Sequence, residues 1–145
     1  MQIAGVWKAC DDGIIRPLLL IRVTGTNGTI VDATFLVDTG ADGTVFSADL
    51  LDQLGGATGI APSGVSLSGI GGAQAHVQVQ AELNLPRTDG GIATVQASFA
   101  AFTDPKATDF SILGRDILDH FDVIISRRRD EVVLLAAPSR YQIQP

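Results

Sequence analysis

An all-β domain is the expectation for this chain, and three features support it. Long stretches alternate apolar and polar residues with the two-residue repeat of a strand. Sixteen glycines are scattered among Val, Ile, Thr and Ala, a composition of short strands and tight turns. Only two segments read as helices, and both are short. With 145 residues, 46% of them hydrophobic, the chain can bury one real core and is too short to divide comfortably into two, so a single domain over 1–145 is expected.

Pro17 to Thr24 is apolar and β-branched, Thr26-Asn27-Gly28 supplies a turn, and Thr29 to Val37 resumes as a strand. This hairpin leads into Asp38. In its second strand Val31, Ala33, Phe35 and Val37 share one face, and Ile30, Asp32, Thr34 and Leu36 share the other. Ser47 is a candidate N-cap for a helix over Ala48 to Leu54, which Gly55-Gly56 stops. The strongest alternation runs from Gln74 to Leu85, with Ala75, Val77, Val79, Ala81, Leu83 and Leu85 on one side; it predicts a long antiparallel strand with a wet face on which His76 is a surface residue. After the turn Thr88-Asp89-Gly90-Gly91 the alternation returns from Ala93 to Ala101. Pro105 marks a loop, Phe110 to Leu113 a short buried strand, and Arg115 to Phe121 a second short helix. Val123 to Ile125 and Val132 to Leu135 close the domain as a hairpin around Arg127-Arg128-Arg129, and the tail from Pro138 is expected to be loose.

Composition excludes several classes. A net charge of −6 leaves too few cations to neutralise a row of phosphates, so neither nucleic acid nor an anionic membrane is an expected partner. The arginine cluster is followed at once by Asp130 and Glu131 and reads as a solvated turn. Cys10 is the single cysteine, which rules out an intrachain disulfide and suits a reducing compartment. The longest aliphatic run near the N-terminus, Leu18 to Ile21, is far short of a membrane span or signal-peptide core, so a cytoplasmic location is expected. The sequence lacks His-Glu-x-x-His, Cys-x-x-Cys, a phosphate-cradling Gly-Lys-Ser/Thr and Gly-x-Ser-x-Gly, and no metal or cofactor is expected.

What remains is Phe35-Leu36-Val37-Asp38-Thr39-Gly40-Ala41-Asp42, where an acid stands directly at the end of a hydrophobic strand. A carboxylate there is costly unless something exploits it, although a strand-end Asp capping an ordinary turn reads equally well from these residues alone. Ser68-Gly69-Ile70-Gly71-Gly72-Ala73 lies between two strand-like stretches and can form a glycine-rich hairpin tip able to open and close over a cleft, or simply a turn. Ile112-Leu113-Gly114-Arg115-Asp116 is a buried strand running into glycine and a helix.

In this order the three segments resemble the retropepsin family, the retroviral proteases and cellular relatives such as the protease domain of DNA-damage-inducible proteins. The resemblance covers the chain from about Arg16 to Leu135. It implies a single-lobe closed β-barrel with a flap hairpin and one or two short helices, its core at about 16–135. Asp38 is then the catalytic acid, Thr39, Gly40 and Ala41 its loop, and Gly69, Ile70, Gly71 and Gly72 the substrate-covering flap. Gly114 and Arg115 pack beneath the loop, Arg115 pairing with Asp42, and Arg16 of Arg16-Pro17-Leu18 reaches across a dimer toward that same acid. The path from Asp38 to Gly69 and the segment from Trp7 to Ile15 are longer than in the viral pattern.

Peptide hydrolysis by this chemistry needs one carboxylate to accept a proton from water and one to donate a proton to the scissile carbonyl. The chain has one Asp-Thr-Gly, so a homodimer with both Asp38 side chains at its two-fold axis is implied, acting on a peptide or protein substrate. A fold-retaining peptide-binding or dimerisation module without turnover is the rival reading, because fold and function separate readily.

Overall fold

The computed structural model describes residues 1–60, 67–69, 72–74 and 76–144. The chain begins with two strands that the alternation did not announce, β1 (Gln2–Ala4) and β2 (Val6–Ala9). The expected hairpin follows as β3 (Ile15–Gly25) and β4 (Ile30–Val37). Its turn is held by the Thr29 amide donating to Asn27 Oδ1 at 3.0 Å, with Gly28 at φ 83°. Next come β5 (Val45–Phe46) and α1 (Ala48–Gln53), where Ser47 Oγ accepts from the Leu50 amide at 3.2 Å, as an N-cap should. Beyond lie β6 (Gly59–Ile60), β7 (Leu67–Gly69), β8 (Gly72–Gln74), β9 (His76–Pro86), β10 (Ile92–Phe102) and β11 (Ser111–Leu113). The chain closes with α2 (Arg115–Leu118), β12 (Asp122–Ser126) and β13 (Glu131–Leu135). No helix among the described residues is long and apolar enough to cross a membrane.

Six strands close a barrel in the order β3-β4-β11-β5-β10-β9, and β9 pairs back onto β3 through Arg22–Asn84 to Gly25–Ala81. Closure removes most free strand edges and seals the interior. Inside, Phe46 stacks on Phe99 with ring centroids 5.1 Å apart and meets the edge of Phe35 at 5.8 Å. Leu19, Ile21, Val23, Leu83, Leu85 and Leu113 fill the remainder and are essentially sealed from solvent. Leu50 and Leu51 of α1, with its C-cap Leu54, join the same core. A second sheet, β1-β13-β12, packs against it: Ile3 faces Leu134 across the β1–β13 pair, and both are fully buried.

Two local expectations differ from the structure. The second helix is four residues long instead of running to Phe121, because the His120 and Phe121 amides turn back to Ile117 O and Leu118 O and tighten the last turn. His76, expected on the wet face, is only 9% exposed; it opposes the buried Phe102 at the last rung of the β9–β10 pair.

Candidate active site

Asp38 begins the loop that follows β4, and the strand ladder extends one bond further to hold it: its amide donates to Leu113 O at 3.1 Å. The loop then folds on itself, the Ala41 amide donating to Asp38 O at 3.2 Å. The Gly40 amide donates to Asp38 Oδ1 at 3.0 Å, which orients the carboxylate from within its own turn. Asp38 and Ala41 are half-buried, whereas Thr39 and Gly40 are exposed.

Residues 114–116 lock this loop from behind. The Arg115 amide donates to Ala41 O at 2.8 Å, and the Asp116 amide to Asp42 O at 3.1 Å. Thr44 is 3% exposed; its hydroxyl accepts from the Gly114 amide at 3.1 Å and donates to Asp116 Oδ1 at 2.7 Å. Asp116 Oδ1 also takes the Ile117 amide at 3.0 Å. Gly114 has to be glycine for contact reasons, since a Cβ there would lie 2.4 Å from both C and O of Gly43. Arg115 does stand near Asp42, at 3.8 Å, and also near Asp119, at 3.5 Å. Asp42 is 98% exposed, so that ion pair is screened and contributes little beside the backbone bonds. Sequence reading passed over Thr44 and Asp116. The available signal for Thr44 was a hydroxyl directly before the buried Val45 and Phe46, a group that requires a partner; Asp116 is exposed and carried no such signal.

Strand register places an apolar row beside Asp38. Leu18 faces Leu36, Leu36 faces Ile112, Ile112 faces Val45, and Val45 faces Ala100, across five successive strands. Residues opposed in this way project from one side of the sheet. Leu18 and Val45 are buried without belonging to the main core, and Leu36, Ile112 and Ala100 are half-buried. Asp38 lies two residues beyond Leu36 and so sits on the same side, one rung along.

Arg16 forms a bidentate pair with Asp12 of its own chain, Nη1 to Oδ1 at 2.8 Å and Nη2 to Oδ2 at 2.6 Å. These bonds hold Asp12 at a pKa of about 2, below its ordinary 3.8, helped by the Ile14 amide. β7 and β8 pair antiparallel with Gly69 opposite Gly72, the hairpin that the glycine-rich segment predicted. Ile70 and Gly71 lie outside the described residues. Among the described residues no three His, Cys, Asp or Glu side chains converge as metal ligands. A cavity of about 450 Å³ lies elsewhere, against the wet faces of β9 and β10; Gln80, Glu82, Gln96 and Ser98 line it, and it does not include Asp38.

Barrel and loop together define a one-lobed all-β fold with Asp38 presented on a hydrogen-bonded turn beside an apolar row. The chain belongs to the retroviral aspartyl protease family, whose model matches residues 15–126. Among solved structures it is similar to a retropepsin-like aspartic protease from Rickettsia conorii, at 16% identity and a TM-score of 0.54, covering 92% of this chain and 90% of that one. It is similar also to EIAV protease complexed with the inhibitor HBY-793, at 24% identity and a TM-score of 0.52, covering 72% and 86%. The retroviral protease-like domain of Ddi1 from Leishmania major matches at 16% identity and a TM-score of 0.47, covering 82% and 96%. At these identities the first two of these structures speak for the fold alone. No curated protein sequence matches the chain significantly.

Proposed function

We propose that the protein is an aspartic endopeptidase whose active site is completed by a second copy of the chain. The observation that carries this reading is the loop geometry: Asp38 is oriented by the Gly40 amide and backed by a cradle that leaves no room for a side chain at Gly114, beside an apolar row on the same face. One Asp-Thr-Gly per chain supplies one carboxylate. Two copies related by a two-fold axis supply the pair.

Two carboxylates brought together on that axis cannot both ionise, so they hold one proton between them. The ionised Asp38 accepts a proton from a water molecule, whose oxygen attacks the scissile carbonyl carbon. The protonated Asp38 gives its proton to the carbonyl oxygen, forming a neutral tetrahedral diol. The proton taken from water then passes to the amide nitrogen, the C–N bond breaks, and acid and amine products leave. The proton returned from the diol restores the shared one. No covalent acyl-enzyme forms.

The substrate lies extended over the apolar row, with side chains entering alternate pockets and the β7–β8 hairpin as roof. Leu36 and Ile112 beside Asp38 favour apolar residues next to the cut. The test is cleavage of an unstructured polypeptide by wild type and by Asp38→Asn, with sedimentation and thermal melting on the same samples. Loss of cleavage with fold and dimer retained is expected; equal cleavage by the Asn protein refutes the assignment. Peptide binding without products across acidic to neutral pH establishes the non-catalytic module instead.

A further inference from the structure

The main-chain bond that anchors Asp38 is the first link of a longer chain. The Asp38 amide donates to Leu113 O at 3.1 Å, and that carbonyl belongs to the same peptide unit as the Gly114 N–H. The Gly114 N–H donates in turn to Thr44 Oγ at 3.1 Å, and the Thr44 hydroxyl donates to Asp116 Oδ1 at 2.7 Å. The hydrogens of all these bonds point the same way, from the main chain of Asp38 toward the carboxylate of Asp116. Hydrogen bonds in series polarise one another, and a carboxylate at the end strengthens the link that it receives. The peptide unit passes the effect on, because a strong acceptor at its N–H makes its carbonyl a better acceptor as well. Leu113, Gly114 and Thr44 are buried, so water does not compete for the middle of the chain. Asp116 stands at the exposed end, where its Oδ1 also takes the Ile117 amide at 3.0 Å. The two bonds from the Arg115 and Asp116 amides hold Ala41 and Asp42, further along the loop; the branch through Thr44 ends on Asp38 itself.

We propose that Thr44 and Asp116 are positioning residues for Asp38: acting through the Leu113–Gly114 peptide, they fix where the Asp38 main chain sits, and hence where its carboxylate meets that of the second copy. This rests on the peptide-hydrolysis reading above. The Gly40 amide orients the carboxylate only within its own turn, and that turn moves as a unit with the Asp38 main chain. Sharing one proton and activating one water require the two carboxylates to be held in place, and a misplacement of about 1 Å costs roughly a hundredfold in rate. Thr44 and Asp116 lie behind the loop, away from the apolar row, so they act on turnover and leave substrate binding alone. A purely structural brace would instead lower stability and leave the rate per folded molecule unchanged.

The experiment measures kcat and KM on one peptide for wild type, Asp116→Ala, Asp116→Asn, Thr44→Val and Thr44→Ser, with the folded fraction of each taken from thermal melts. Asp116→Ala and Thr44→Val should each lower kcat about tenfold and leave KM within about twofold of wild type. Asp116→Asn and Thr44→Ser keep an oxygen at each link and should return kcat to within about threefold. Because the links are in series, Thr44→Val combined with Asp116→Ala should be no slower than Thr44→Val alone. Trp7→Phe, destabilised at the β12–β13 turn, should keep the wild-type kcat. An unchanged kcat in folded Asp116→Ala and Thr44→Val, or an equal loss in Trp7→Phe, overturns the proposal. If Asp116→Ala fails to fold, Thr44→Val against Thr44→Ser decides alone. The Asp38 amide proton reports on the chain without turnover. In Thr44→Val and Asp116→Ala its resonance should move upfield and its hydrogen exchange should quicken about tenfold, while Thr44→Ser stays near wild type. An amide that responds in a protein without cleavage defeats hydrolysis and keeps the positioning chain; cleavage with neither amide nor kcat altered defeats the chain and keeps hydrolysis.

Discussion

Gly114→Ala probes how the Asp38 loop is held. A Cβ at this position would stand 2.4 Å from Gly43 C, 2.4 Å from Gly43 O and 2.9 Å from Thr44 N, all backbone atoms that no side-chain rotation can move aside. Either β11 or the Asp38 loop must shift, and overpacking of this kind costs about 1–3 kcal/mol. The shift also strains the 3.1 Å bond from the Gly114 amide to the buried Thr44 hydroxyl, a loss of about 1–3 kcal/mol if the groups are left unpaired. Together these give roughly 2–6 kcal/mol, or roughly 5–20 °C in Tm for a chain of this size. Because the displaced atoms are in the Asp38 loop itself, peptide cleavage should fall more than the melt alone explains. Gly43→Ala is the control from the opposite partner: its Cβ would meet nothing within 4 Å, and the change should stay within about 0.5 kcal/mol. Calorimetric melts and cleavage rates of both variants decide. A Gly114→Ala protein as stable as Gly43→Ala would refute the close-packing argument.

Thr44→Val should cost about 1–3 kcal/mol by urea denaturation, since it strands the Gly114 amide and removes a donor from Asp116, and Thr44→Ser should recover most of it. Trp7→Phe gives up the indole N–H shared between Ser126 O at 3.2 Å and Glu131 O at 3.1 Å; a loss of about 1 kcal/mol is expected, and an unchanged melt would show that the β12–β13 turn does not depend on it. Asp12 supplies a pH prediction. Its carboxyl titrates at about 2 in the fold against an ordinary 3.8, lowered first by the Arg16 hydrogen bonds, so its contribution is fully present above pH 4 and disappears as pH falls toward 2. The urea midpoint of wild type should therefore exceed that of Asp12→Asn at pH 5 and converge with it near pH 2; a gap that stays constant over this window contradicts the assignment.

Much of the barrel could be read from local pattern. The alternation from Val77 to Leu85 and from Ala93 to Ala101 became β9 and β10, and Ser47 caps α1 where its hydroxyl meets the Leu50 amide. Period, cap and turn chemistry are properties of a few consecutive residues, so they survive without knowledge of the rest. Asp38 stood out for a related reason, an acid at the end of a hydrophobic strand. β1 and β2 were not legible. Gln2–Ala4 has no turn chemistry to frame it, and its strand character comes from Ile3 meeting Leu134 more than a hundred residues away.

The amino-acid order by itself therefore determined the longer strands, their turn residues and Asp38 as the candidate acid. Tertiary structure alone decided that β9 returns to β3 to close the barrel and that Gly114 has to clear Gly43. It also decided that Asp42 stays in solvent while Thr44 and Asp116 hold the loop, and that Arg16 bonds Asp12. Register and close approach depend on which distant segments meet, and that outcome is set by burying the whole core at once.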